Sequence, residues 1–239
     1  MKVDVRDDIL SLKQDYIENL GLIPKQVDRN RTILMIEKIL KRLLDILGGF
    51  CGFLILIPLT IGVWLANKLS KDNGPIFYAH ERIGKDGKVF KMYKYRSMVV
   101  GADEKLKKYL EENEEAREEY KKYKKLKNDP RITKIGNILR KTSLDEFPQF
   151  INVLKGDMSL VGPRPYLLRE KEEINGFFKY ITSCKPGITG LWQTRGRSNT
   201  TFTDRLTMDM EYYYNHTLKT DIRLLYKTVK NVIKKEGAI

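Results

Sequence analysis

A chain of 239 residues has room for one or two domains and a sizeable core, and its 45 Lys and Arg against 31 Asp and Glu leave a formal charge of +14. That surplus calls for a polyanionic partner, whether nucleic acid, an anionic membrane surface or phosphorylated substrates, and composition does not choose among them. Two cysteines without paired spacing exclude a disulfide framework and a zinc site, and with His80 and His216 as the only histidines a metal must be held mainly by oxygen, which favours Mg²⁺ or Mn²⁺.

Residues 1–30 are polar. Ile9, Leu12, Tyr16 and Leu20 share one helical face, and Gly21 and Pro24 follow as stop signals, so the segment reads as a small amphipathic helix and a linker. The first ten residues have no apolar run and are not a secretory signal.

Ile46 to Ala66 carries no charge over 21 residues, about 30 Å as a helix, which matches the hydrocarbon thickness of a bilayer. Pro58 interrupts it, and Lys38, Lys41 and Arg42 before it balance Lys68 and Lys71 after it, so charge gives no orientation. The segment is expected to be a re-entrant hairpin or sharply broken helix turning at Pro58, against a kinked but complete span.

After Asn73-Gly74-Pro75, two stretches rich in aromatic and β-branched residues flank Lys85-Asp86-Gly87-Lys88, which predicts a β-hairpin. In its second arm Lys91, Lys94 and Arg96 interleave with aromatic residues, a pattern that suits single-stranded nucleic acid, a nucleotide or a lipid headgroup equally, with a solvated strand face as the competing reading. Residues 102–127 have the clearest helical periodicity, with Ala102, Leu106, Tyr109, Ala116, Tyr120 and Tyr123 on one face. Its acids crowd residues 102–120, whereas residues 121–141 are strongly basic.

The stretch from Arg140 to Pro165 holds the adjacent carboxylates Asp145 and Glu146. Arg140 precedes them, and Arg164 follows between Pro163 and Pro165, a stiff mount for a guanidinium whose fork suits phosphate oxygens. Acids flanked by cations point to phosphate chemistry. The competing reading is a capping box of Ser143 and Glu146; with Pro148 confined to a first turn, the regular helix is predicted to begin near Asp145 to Phe147 and to end at Gly156. Farther on, Trp192 in a glycine-rich loop is suited to stack on a base and Arg195 or Arg197 to meet a phosphate, although the loop matches no dinucleotide or P-loop fingerprint. A C-terminal helix from about Asp221 carries Ile222, Leu225, Tyr226, Val229, Val232 and Ile233 on one face beside Arg223, Lys227, Lys230 and Lys234, which suits either an anionic membrane surface or docking on the core.

Arg82-Ile-Gly84, Phe90-Lys-Met-Tyr-Lys-Tyr-Arg-Ser-Met98, Asn128-Asp-Pro-Arg-Ile-Thr133, Thr142-Ser-Leu-Asp-Glu146, Asn152 to Pro165 and Lys185-Pro-Gly-Ile-Thr-Gly-Leu-Trp-Gln193 together resemble the bacterial sugar transferase family over about residues 35–239. The resemblance implies a monotopic enzyme that transfers hexose 1-phosphate from a UDP-sugar to undecaprenyl phosphate and releases UMP. It implies Asp145 as the nucleophile that takes the phosphosugar, Glu146 as the Mg²⁺ ligand, and Lys94, Arg140 and Arg164 as phosphate-binding cations. Arg82, Gln149, Trp192, Arg195 and Arg197 are expected nucleotide or sugar contacts. Where many members carry Ser-Pro at the membrane break, this chain has Ile57-Pro58, so hydroxyl help at the turn is expected to be absent.

The loop motifs resemble the galactose and glucose 1-phosphate branch, galactose first; the extra N-terminal spanning helices and soluble domain of its long members are expected to be absent here. The fold class expected is α+β and predominantly helical, with a re-entrant membrane helix, a small β-hairpin and amphipathic interfacial helices around the site. The expected organisation is a polar segment at 1–30, a membrane region at 31–70 and a cytoplasmic, membrane-associated catalytic domain at 71–239. The partners expected are UDP-sugar, undecaprenyl phosphate, the bacterial inner membrane, downstream glycosyltransferases and a second copy of the chain, with no nucleic acid.

Overall fold

The computed structural model describes residues 31–123, 126–195 and 201–234; the predicted helix and linker at 1–30 and the candidate Arg197 lie outside them. The fold is mixed α+β and mostly helical, with a long apolar helix at the N-terminal end and a small antiparallel sheet.

Helix α1 (Arg31–Leu69) runs through Pro58 as one helix, so the predicted hairpin is not formed. At about 1.5 Å per residue it is close to 58 Å long, long and apolar enough to cross a membrane by length and composition. The reason it stays whole is tertiary. Lys41, Asp45, Leu56, Thr60, Val63 and Asn67 recur at helical spacing along one side and all face the rest of the protein, while Leu43, Leu47, Phe50, Leu54, Ile57, Ile61 and Trp64 stay exposed on the other.

Apolar surface leaving lipid gains nothing from the hydrophobic effect, so the docked side must rely on close packing and hydrogen bonds. Both are present. Gly48 and Gly52 bring the helix against Leu160 and Phe150 so closely that a Cβ would collide, and Gly49 packs tightly on Leu154. The Asp45 carboxylate accepts from Ser159 Oγ and Leu160 N, each at 2.9 Å, and Lys41 donates to Asp221 at 2.6 Å. Ile57 brings no hydroxyl to the proline, and the nearest one serves the docking contact. Thr60 Oγ1 donates to the Leu56 carbonyl at 2.7 Å and meets the Tyr95 hydroxyl at 2.6 Å.

The predicted hairpin forms from β1 (Phe77–Ile83) and β2 (Val89–Tyr95), paired antiparallel from Phe77↔Tyr95 to Ile83↔Val89 and joined by a tight turn in which Asp86 and Gly87 have positive φ. The long helix predicted at 102–127 is two helices, α2 (Ala102–Glu112) and α3 (Glu114–Tyr123). Asn113 adopts an extended conformation and its Oδ1 accepts from Ala116 N, which caps the second helix while ending the first.

Helix α4 (Lys134–Lys141) is capped by Thr133, and α5 (Gln149–Lys155) ends at Gly156 with φ 88°, the C-cap expected. Two short strands not foreseen, β3 (Ser159–Val161) and β4 (Gly187–Thr189), pair in parallel beneath α1. Around them lie α6 (Phe178–Ser183), α7 (Leu191–Arg195), α8 (Phe202–Asn215) and α9 (Leu218–Ile233). Helix α9 docks on the core through Asp221 and Leu224, both buried, and leaves Ile222, Tyr226, Val229 and Val232 exposed.

Candidate functional site

The acid pair sits where β2 ends. Asn152 on α5 clamps the strand's backbone, its Oδ1 accepting from Tyr93 N at 3.0 Å and its Nδ2 donating to Lys91 O at 2.8 Å. This fully buried side chain fixes the register between the strand and the segment carrying the acids; sequence reading placed it in a motif but gave it no role. On the other side, Ser97 follows β2 and its backbone oxygen accepts from Thr133 N at the start of α4. Its Oγ accepts from Arg140 Nε at 3.1 Å. Strand and helix thereby deliver Lys94 and Arg140 to one place.

The capping-box reading fails on geometry. Ser143 has φ 58° and ψ 17° and makes no side-chain cap, and Leu144–Glu146 form a 3-10 turn. The regular helix begins only at Gln149, later than predicted, with Pro148 in the cap position. A left-handed serine is strained by about 1–2 kcal/mol, and the turn it starts puts Asp145 inward and leaves Glu146 partly open.

Lys94 Nζ lies 2.6 Å from Glu146 Oε1 and 3.7 Å from Asp145 Oδ2. Burial pushes the Asp145 carboxyl above the ordinary carboxylate range; Lys94 pulls it back, Glu146 adds to the rise and Arg140 opposes it. A carboxylate stripped of water and held by a cation at its edge is a stronger nucleophile than a solvated one. Among the described residues no three His, Cys, Asp or Glu side chains converge on a metal position. Glu146, partly exposed beside Asp145, is the carboxylate that would hold an oxygen-preferring ion such as Mg²⁺ together with substrate phosphates and water.

Arg164 makes its contacts away from the Lys94 bridge. It stands in a second cluster, its Nη2 3.6 Å from Glu170 Oε1 and its guanidinium 5.7 Å from the Trp192 ring centroid, with Arg205 at 5.1 Å from that ring. The mount is as stiff as its prolines predict. Pro163 O accepts from Gly187 N, Arg164 N donates to Asp209, Pro165 O accepts from Arg82, and Tyr166 O accepts from Ile83 N. Burial, then the Arg164 charge, pulls Arg82 down to about 10, and burial pushes Asp209 up to about 7 despite bonds from Tyr166 Oη and Arg164 N. Among the described residues, three buried polar atoms here have no partner: Arg82 Nε, Trp192 Nε1 and Asp209 Oδ1. Orphaned donors beside clustered guanidinium groups mark a place prepared for an anionic ligand.

Of the remaining candidates, Gln149 is buried at the start of α5, and Arg195 is held by Glu211 at 2.6 Å. Asp209 and Arg205 were missed by sequence reading. The available signal was an acid placed among Leu206, Met210 and Tyr212, all buried on α8.

Residues 36–235 match the bacterial sugar transferase family. The chain is 48% identical over 202 residues to the undecaprenyl-phosphate galactose phosphotransferase of Salmonella typhimurium, covering 84% of this chain and 42% of that protein. It is 39% identical to the exopolysaccharide production protein ExoY of Rhizobium meliloti, covering 83% and 87%, and 38% identical to the UDP-glucose:undecaprenyl-phosphate glucose-1-phosphate transferase of Escherichia coli, covering 81% and 40%. The chain thus spans about two-fifths of the first and third of these relatives and most of the second. With the motifs, the buried acid pair and the profile in agreement over 36–235, this chain belongs to the bacterial sugar transferase family.

Proposed function

We propose that this protein transfers hexose 1-phosphate from a UDP-sugar to undecaprenyl phosphate, releasing UMP, as a first membrane step in assembling a surface polysaccharide. The observation that carries the reading is the buried Asp145 bridged with Glu146 by Lys94. An Asp145 oxygen forms a bond to the sugar-bearing phosphorus as the bridging P–O bond breaks, its electron pair leaving with UMP. A phosphate oxygen of the polyprenyl acceptor then attacks the same phosphorus and the carboxylate departs. Lys94 and Arg140 neutralise charge on the phosphoryl oxygens in both displacements. Mg²⁺, for which Mn²⁺ can substitute, supplies further neutralisation when bound through Glu146. The second cluster is suited to the nucleotide half of the donor, with Arg164, Arg82 and Arg205 toward phosphate and Trp192 offering its ring and free N–H to the base.

Galactose is favoured as the sugar, since the relative named for galactose is more similar than the one named for glucose. Placement in the bacterial inner membrane with the catalytic part cytoplasmic is supported by α1. Residues before and after Pro58 both dock on the same body, which favours an unbroken helix laid along that body with its exposed apolar face in the bilayer over a span that leaves the body behind. The test is UMP release from a panel of UDP-sugars by detergent-solubilised protein with Mg²⁺ and undecaprenyl phosphate. Release is expected from UDP-galactose, with a phosphohexose adduct on the protein when acceptor is withheld, and neither in Asp145→Asn. Absence of release from every UDP-sugar by folded wild type would remove the proposal.

A further inference from the structure

A second basic site lies at the opposite end of α1 from the acid pair. From Lys41 to Leu56, whose carbonyl meets the Tyr95 hydroxyl beside Lys94, the helix rises about 22 Å. There a cavity of about 250 Å³ is walled by Lys38, Lys41 and Arg42 of α1, Lys85 from the hairpin turn and Lys185 before β4. One water needs only about 10–15 Å³ by the same measure, so the space admits a larger polar group.

Its charges are unbalanced. Against Lys38, Lys41, Arg42, Lys85 and Lys185 stand two carboxylates, Asp45 in the wall, which accepts from Ser159 and Leu160, and Asp221, which pairs with Lys41. Arg42 spends its hydrogen bonds on two neutral carbonyls, Val153 O and Leu154 O. Lys38, Lys85 and Lys185 have no ion pair among the described residues. Burial lowers the Lys185 pKa, and Arg42 and Lys85 lower it further, against which Asp45 and Asp157 pull only part of the way back. Cations held this close call for an anion with several oxygens.

The surroundings say which one. Ile39, Leu40, Leu43, Ile46 and Leu47, within two turns of the basic residues, are exposed on α1, so a lipid-facing apolar stripe runs past the basic walls of the cavity. We infer that this cavity receives the phosphate-bearing headgroup of an anionic membrane lipid whose acyl chains lie along that stripe. Basic pockets beside membrane helices recognise headgroups through this pairing of charge and apolar surface.

The test is native mass spectrometry of the delipidated full chain in neutral detergent, titrated with dioleoyl phosphatidylglycerol or with phosphatidylcholine of the same chains. One phosphatidylglycerol is expected to be retained at concentrations where phosphatidylcholine is lost. K85Q/K185Q should weaken that retention roughly 30-fold, the equivalent of two surface lysines, while K85R/K185R keeps it. If K85Q/K185Q fails to fold, K38Q on the exposed side of the helix should still weaken retention severalfold. Equal retention of the two lipids by wild type, or unchanged retention in both glutamine variants, overturns the inference. So does displacement by millimolar glycerol 3-phosphate with equal affinity, which would make the site one for a soluble phosphate.

Discussion

The two polar clusters of the catalytic body are built on opposite plans. Around Asp145 and Glu146, acids and cations satisfy one another at contact distance within the chain. Around Trp192, guanidinium groups crowd together and two buried donors, Arg82 Nε and Trp192 Nε1, find no partner among the described residues. The first arrangement is complete as it stands and suited to making and breaking a bond. The second is incomplete until something anionic arrives, and so is suited to holding it.

The difference is open to attack at several points. Glu146→Gln should have the largest effect, lowering turnover about 10²–10³-fold in a UMP-release assay while the far-ultraviolet circular dichroism stays unchanged, since only charge at the reacting phosphate is lost. Arg164→Ala should act on the other cluster, weakening UDP-sugar or UMP binding roughly 10- to 100-fold by calorimetry. Lysine there should restore only part of it, because a single ammonium cannot reproduce the fork. Equal effects of Arg164→Ala on turnover at saturating donor and on binding would erase the division between the clusters.

Asp209 offers a test through pH. Its carboxyl titrates at about 7 in the folded protein against an ordinary 3.8. The folded state therefore holds the proton over a range where the unfolded chain has lost it, and stability falls as pH rises between those values. Denaturant midpoints measured across that window should decline less in Asp209→Asn than in wild type. The smallest effect is expected of Thr60→Val, which removes one of the hydroxyls at the helix–strand contact and should cost about 0.5–1.5 kcal/mol in chemical denaturation, with turnover per folded molecule unchanged.

Legibility divides along similar lines. Asp145, Glu146 and Arg140 lie within seven residues of one another, and the hairpin that brings Lys94 is signalled by its own turn, so local pattern reached them. The position of Arg164 depends on β3 pairing with Gly187–Thr189, two three-residue strands in contact across some thirty residues, and a strand that short has no period to read. Ser143 is the reverse case. Its pattern matched a cap well, yet the buried turn overrode the local preference and placed the serine in the left-handed region. The continuity of α1 through Pro58 was likewise set from outside the segment, by partners as distant in sequence as Tyr95 and Ser159.

That last contact has a geometric consequence. Tyr95 grips the helix at Leu56 and Thr60, and its neighbour Lys94 holds the two acids. A single residue step therefore joins the long apolar helix to the acid pair, and a one-turn slip of the helix against the strand would displace the two carboxylates by about 5 Å relative to α1. On the proposed transfer, the clasp fixes where along the helix a lipid-borne phosphate must present itself.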